Sequence, residues 1–179
     1  MKRLMLLRHA KSARDQPDLP DAERPLAKRG IKAAPLVGRY IMAEGLIPDL
    51  VLCSAAVRAK QTWDLVSAAW PHQPRRQQLA SLYMATPREM LSTAREYGGD
   101  TDSILIVGHN PGIGDLATWL VNQGDAGEIT RMQRKFSTAA LAVIDLPIES
   151  WRDFRDTTVS AWNGQLVRFV VPQDLAAGI

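Results

Sequence analysis

The sequence predicts a three-layer α/β sandwich, with a mostly parallel sheet, helices on both faces and an antiparallel carboxyl-terminal edge. Three observations predict it. Apolar runs at 4–7, 50–53 and 104–107 have the length and composition of strands buried on both faces. The first leads through a polar, Pro-containing segment, the second through Ser54, and the third through a Gly-containing turn, into a helical pattern, which is the alternation that builds parallel sheets. Near the end of the chain, Asn163-Gly164 between 157–162 and 165–171 signals a hairpin, which supplies the antiparallel edge.

Length and composition bound the rest. The 179 residues, 46% hydrophobic and 23% charged, fit one domain spanning 1–179, and no linker or low-complexity tract divides them. Net charge is +3, from 22 basic and 19 acidic residues, with no block of like charges of the kind that binds nucleic acid. A phosphorylated or otherwise anionic partner is enough to account for it. Met1-Lys2-Arg3 looks like the start of a signal segment, but the apolar run ends at Leu7 because Arg8 interrupts it, too short for a signal peptide or a membrane span. The expectation is a cytoplasmic monomer. A single cysteine, Cys53, excludes an internal disulfide framework and a cysteine zinc site, and its place at the end of an apolar run reads as core.

In chain order, strand 4–7 ends on Arg8-His9. The stretch 11–24 contains Pro17, Pro20 and the acids Asp15, Asp18, Asp21 and Glu23, and reads as a loop over a pocket mouth. A helix follows over 27–44, closed by Gly45, with Pro35 and Gly38 inside it predicting a kink or a late start. Strand 50–53 leads to Ser54, read as the N-cap of a helix to about 69 that Trp70-Pro71 ends. Thr86-Pro87-Arg88-Glu89 is a capping box opening a helix through about 97. Strand 104–107 passes into Gly108-His109-Asn110-Pro111-Gly112 and another helical pattern, whose first amides could face an anion. Residues 139–144 form a further strand.

Ligands of open α/β sheets bind beyond the carboxyl ends of parallel strands. Arg8, His9, Arg58 and His109 all follow such ends, so a parallel sheet gathers them although about fifty residues separate successive members. Each alone has an ordinary explanation: an exposed Arg-His pair, a solvated helix arginine, a histidine capping the Pro111 helix. Their joint placement is what argues for a site. Two guanidinium forks suit a phosphoryl group. His72, in a loop between Trp70-Pro71 and Pro74, reads as solvated.

These residues carry a resemblance. Arg8-His9-Ala10-Lys11-Ser12, Arg24-Pro25-Leu26 with Arg29-Gly30, Arg58-Ala59-Lys60-Gln61-Thr62, Gly108-His109-Asn110-Pro111-Gly112, Ser137-Thr138-Ala139-Ala140, and Phe169 with Pro172 resemble the histidine phosphatase superfamily, of phosphoglycerate mutase-like fold, and within it the SixA-type phosphohistidine phosphatases. The resemblance spans nearly the whole chain. It implies His9 as nucleophile, Arg8 and Arg58 as phosphate ligands, and His109 as a further ligand and proton partner, with Asn110 beside the phosphate. It further implies metal-independent hydrolysis through a phosphohistidine intermediate, with inorganic phosphate as product and no cofactor. The implied partner is a histidine phosphotransfer domain or a phosphocarrier protein in signal transduction.

The chemistry agrees. Phosphoryl transfer asks mainly for positioning and electrostatic stabilisation. His9 must attack through a neutral nitrogen, which neighbouring Arg8 and Arg58 favour by like-charge repulsion, while its other nitrogen needs an acceptor such as a backbone carbonyl.

Two positions depart from the wider pattern. Ala10 stands for the usual Gly. Met84 stands where the wider superfamily places a carboxylic general acid, and residues 82–85 offer none. An alkoxide leaving group needs a proton, whereas imidazole, which ordinarily titrates near ~6.5, leaves with far less help. The missing acid therefore favours phosphohistidine as substrate, unless the loop bearing Asp21, Lys11 and Ser12 lends a donor, Asp21 first. The alternatives are a phosphatase of small monoesters or phospho-Ser/Thr peptides, and a non-catalytic phosphate-binding module. A cysteine phosphatase is excluded because only four residues separate Cys53 from Arg58, with no Gly among them, and a P-loop kinase because its motif is absent.

Overall fold

The computed structural model describes residues 1–154 and 162–177. Seven strands form one sheet: β1 (Lys2–Arg8), β2 (Leu50–Ser54), β3 (Arg75–Leu79), β4 (Ser103–Gly108), β5 (Val121–Gln123), β6 (Leu141–Leu146) and β7 (Gly164–Val170). Six helices accompany them: α1 (Lys28–Ala43), α2 (Val57–Ser67), α3 (Pro87–Tyr97), α4 (Gly112–Leu120), α5 (Ala126–Arg134) and α6 (Pro172–Ala176). The strand order is β3-β2-β4-β1-β6-β7-β5. Strands β3, β2, β4 and β1 are parallel, β6 runs antiparallel to both β1 and β7, and β5 lies parallel to β7 at the edge.

Alternate residues of the central strands enter two different cores, as pleating requires. Leu4, Leu6, Leu52, Ile104 and Ile106 join the side covered by α3, α4 and α5. Met5, Leu7, Val51, Leu105 and Val107 join the side covered by α1 and α2. All ten are fully buried, which is why these strands read as unbroken apolar runs. Trimming such a leucine to alanine costs about 2–5 kcal/mol.

The helix over α1 starts at Lys28 and continues through Pro35, so the expected late start is not found. Packing sustains it: Gly38 sits where a Cβ would lie 2.0 Å from the Val66 carbonyl oxygen, so only glycine lets α1 approach α2 this closely. Gly45, at φ +65°, ends it as expected. The Thr86 capping box is present, with both reciprocal bonds to Glu89.

Other expectations are corrected. Ser54 closes β2 and does not cap α2, whose N-cap is Ala56. The predicted strand 139–144 begins two residues later, because Ala139 turns at φ 58°. Strand β3 escapes sequence reading since it alternates half-buried and exposed polar residues, the pattern of a charged edge strand. Residues 157–161, the first arm of the expected hairpin, lie outside the described residues, and Trp162 is in no strand. No helix among the described residues is long and apolar enough to cross a membrane.

Candidate active site

The parallel strands β2, β4 and β1 are neighbours, so their carboxyl ends deliver Ser54, Gly108-His109 and Arg8-His9 to one rim. Backbone bonds then fix the approach of His9. Its amide donates to the Gly108 carbonyl at 3.0 Å, and the Ala139 amide donates to the carbonyls of both Arg8 and His9. Thr62 ties the β1 end to α2: its hydroxyl donates to the Arg58 carbonyl at 2.7 Å and accepts from the Ala10 amide at 2.9 Å. That pair of bonds explains why Arg58 and Thr62, one helical turn apart, occur together. Gln61 accepts from the Leu26 amide at 2.8 Å and holds the end of the loop over the site.

The structure brings all four predicted residues around a cavity of about 180 Å³. His9 is 7% exposed, and its Nδ1 lies 2.7 Å from the Ala10 carbonyl. A carbonyl can only accept, so Nδ1 carries the proton and Nε2 has the free lone pair. Toward that lone pair Arg58 Nε donates at 3.3 Å. The His9 pKa is pushed down to about 4 by burial, with Arg58, Arg8 and Arg24 adding repulsion against the Ala10 carbonyl. Burial thus outweighs the arginine repulsion that the sequence argument put first.

His109 packs against His9 with ring centroids 5.1 Å apart, and its Nε2 is 2.7 Å from the Ser54 hydroxyl. Burial and then the neighbouring His9 push its pKa to about 3. Ser54 therefore positions a histidine, not a helix.

Asp21, from the loop between β1 and α1, enters the same cavity. Its carboxylate takes Arg58 Nη2 at 3.0 Å and Arg24 Nη1 at 3.4 Å, and the Tyr83 hydroxyl donates to it. The Tyr83 hydrogen bond and then Arg58 hold the carboxyl below its ordinary range, while Tyr83 is raised in turn. Arg24 also donates to the Ser12 hydroxyl at 2.5 Å. Lys11 and Met84 line the cavity, Met84 being 48% exposed.

Among the described residues three buried nitrogens have no hydrogen-bond partner: Arg8 Nε, Arg24 Nε and His109 Nδ1. All belong to residues lining this cavity. Unpaired buried polar atoms are costly, so their gathering points to a polar ligand, and two guanidiniums make it an anion.

Some expected donors are otherwise engaged. Arg8 Nη1 donates to the Phe136 carbonyl at 2.9 Å, as does Asn110 Nδ2. In the first turn of α4 the amides of Ile113 and Gly114 are engaged within the chain, with the His109 carbonyl and with Asn110 Oδ1. Sequence reasoning missed Tyr83 and Arg24 as members of the site. Arg24 stands within a quoted motif, but Tyr83 has no signal beyond adjacency to Met84. Among the described residues no cluster of three or more His, Cys, Asp or Glu could hold a metal ion. Cys53 is buried and its thiol is pushed up to about 12, and His72 is exposed.

Comparison with known proteins gives several relatives. A Mycobacterium tuberculosis protein, Rv1276c, itself uncharacterized, is 35% identical over 170 residues, covering 93% of this chain and 100% of its own. Among solved structures, a candidate SixA phosphohistidine phosphatase from Agrobacterium tumefaciens is similar at TM-score 0.78 and 25% identity, over 96% of this chain and 98% of that one. A second, from Nakamurella multipartitia, matches at TM-score 0.80 and 24% identity, over 96% of each chain. No family model matches the chain.

Proposed function

We propose that the chain, a member of the histidine phosphatase superfamily in its SixA-type branch by its likeness to the two SixA structures, is a metal-independent phosphatase that removes phosphate from phosphohistidine on a protein. The observation carrying this reading is His9 Nε2: unprotonated, anchored through Nδ1 to the Ala10 carbonyl, and facing Arg58 in a cavity with three unpaired polar nitrogens.

In the first step the substrate imidazole, protonated by solvent on its other ring nitrogen, is displaced as Nε2 attacks phosphorus: the phosphorus to substrate nitrogen bond breaks and the ring departs as neutral imidazole. Arg8 and Arg58 stabilise the charge on the transferred oxygens, and with the Ser54 hydroxyl donating a hydrogen bond to Nε2 of His109, the proton on its Nδ1 makes that nitrogen a further donor. Water then attacks the phosphorylated His9 and releases inorganic phosphate. Asp21 accepts from Arg58 Nη2 at 3.0 Å and so competes with a phosphoryl oxygen for that donor.

Two features support phosphohistidine over a carbon-linked ester. Met84 carries no proton, and Asp21, held ionised, has none to give near neutral pH. An imidazole leaving group tolerates both. The test compares kcat/KM on a phosphocarrier protein phosphorylated at histidine with that on a panel of alkyl phosphates. A preference of at least tenfold for the protein is expected, and equal rates would overturn the substrate assignment.

A further inference from the structure

We infer that a basic groove beside the active-site cavity is a docking site for an acidic, amphipathic segment of the phosphoprotein substrate. The groove has a volume of about 360 Å³ and shares Lys11 and Thr138 with the cavity that holds His9. Its other walls come from α1, from the segment after α5, and from the start of α6.

Charge is the first observation. Lys11, Arg29, Lys32 and Lys135 line the groove, and no acidic side chain does so among the described residues. None of the four cations has a carboxylate partner among the described residues. The nearby Asp174 of α6 is engaged with Arg131 at 2.6 Å. Four unpaired like charges around one concavity repel each other, and an anionic partner relieves that repulsion while steering encounter. Arg76 with Asp64 and Arg3 with Asp145 show the pairing that these four lack.

Helical spacing is the second. Arg29, Lys32, Ala33 and Leu36 fall at intervals of three and four on α1, so one helix face offers cations beside an apolar strip. Val171 and Pro172 continue that strip from the opposite wall. A small, strongly hydrated anion gains nothing from apolar walls. A polypeptide segment mixing acidic and apolar side chains uses both, and the groove adjoins the cavity of His9 at Lys11 and Thr138.

The inference rests on the phosphatase reading for the substrate's location, but the groove can be measured without turnover. The probes are a fluorescein-labelled peptide of alternating glutamate and leucine around one histidine, with glutamine and lysine versions. Binding is read by anisotropy for the wild type, for Arg29→Glu/Lys32→Glu/Lys135→Glu, and for the corresponding triple glutamine variant. The wild type is expected to bind the glutamate peptide at least tenfold more tightly than the glutamine peptide. The triple glutamine variant should lose that preference, and the triple glutamate variant should favour the lysine peptide. Turnover of p-nitrophenyl phosphate should be the same in all three proteins, whereas phosphorylated glutamate peptide should lose kcat/KM through KM. Equal wild-type binding of glutamate and glutamine peptides overturns the inference, as does an unchanged preference in the variants. Displacement of the peptide by inorganic pyrophosphate at lower concentration than unlabelled peptide assigns the groove to a small anion and also overturns it. Glutamate preference without turnover of any phosphate compound would uphold the groove and overturn the phosphatase reading.

Discussion

The Nε of Arg58 lies 3.3 Å from Nε2 of His9, the only ring nitrogen of His9 that the Ala10 carbonyl leaves free. A cation donating to an imidazole lone pair holds that nitrogen unprotonated, ready to bond phosphorus, and it aligns the guanidinium on the path of the incoming phosphoryl oxygens. His9→Ala should therefore abolish turnover while leaving the fold intact. Rapid-quench labelling of the wild type should trap an acid-labile, base-stable phosphoenzyme that the variant never forms. Wild-type rates in the variant would end the nucleophile assignment.

Acid should act on both activity and stability. The folded pKa of His9 is about 4 and that of His109 about 3, both below the ordinary ~6.5 of the unfolded chain. Between these limits the unfolded state binds more protons, so the stability these histidines contribute is fully present above pH ~6.5 and is lost as pH falls toward about 4. The loss should be on the order of a few kcal/mol. Calorimetry should show Tm falling from pH 7 to pH 5, with a shallower fall in His9→Ala/His109→Ala. Turnover should stay level above pH ~6 and drop only as His9 protonates near pH ~4. A Tm independent of pH over this range would contradict the burial of two neutral imidazoles.

The arginines and Asp21 should separate by sign. Arg8→Ala and Arg58→Ala should each cost on the order of 10²-fold in kcat/KM, as loss of a preorganised donor does, and chelators should leave the wild type unaffected. Asp21→Asn should act in the opposite direction on anion binding, because the carboxylate competes for Arg58 Nη2 at 3.0 Å. Vanadate should inhibit that variant severalfold more tightly. Weaker inhibition would mean that Asp21 helps to assemble the phosphate site.

Legibility followed burial. Strands β1, β2 and β4, buried on both faces, announce themselves as apolar runs, and once they are parallel the meeting of Arg8, His9, Arg58 and His109 follows from topology. Strand β3 is illegible because an edge strand exposes half its residues, and Arg75, Arg76 and the glutamines there make no apolar run. Ser54 misleads because local spacing suits a cap, whereas its partner, His109, lies 55 residues away. Tyr83 and Arg24 escape for the same reason. Their roles come from Asp21, which a loop carries to them, and no periodic pattern encodes where a loop's side chain ends.

Leaving-group selectivity tests the substrate reading at Met84. This side chain lines the cavity, is 48% exposed, and offers no proton where an alkoxide would need one. Rates on carbon-linked phosphates should then fall steeply as leaving-group pKa rises, while phosphohistidine and activated aryl phosphates remain good substrates. Met84→Glu adds an ionisable carboxyl to the mouth at a backbone position, φ 51°, that already tolerates a side chain. The variant should raise kcat/KM for an alkyl phosphate more than for a phosphohistidine protein, because only the alkoxide draws on a donor in the transition state. The measurement is that ratio in wild type and variant. A flat dependence on leaving-group pKa in the wild type would show that a donor is already present. Tyr83, whose hydroxyl meets Asp21 at the same mouth, would be the residue to substitute next.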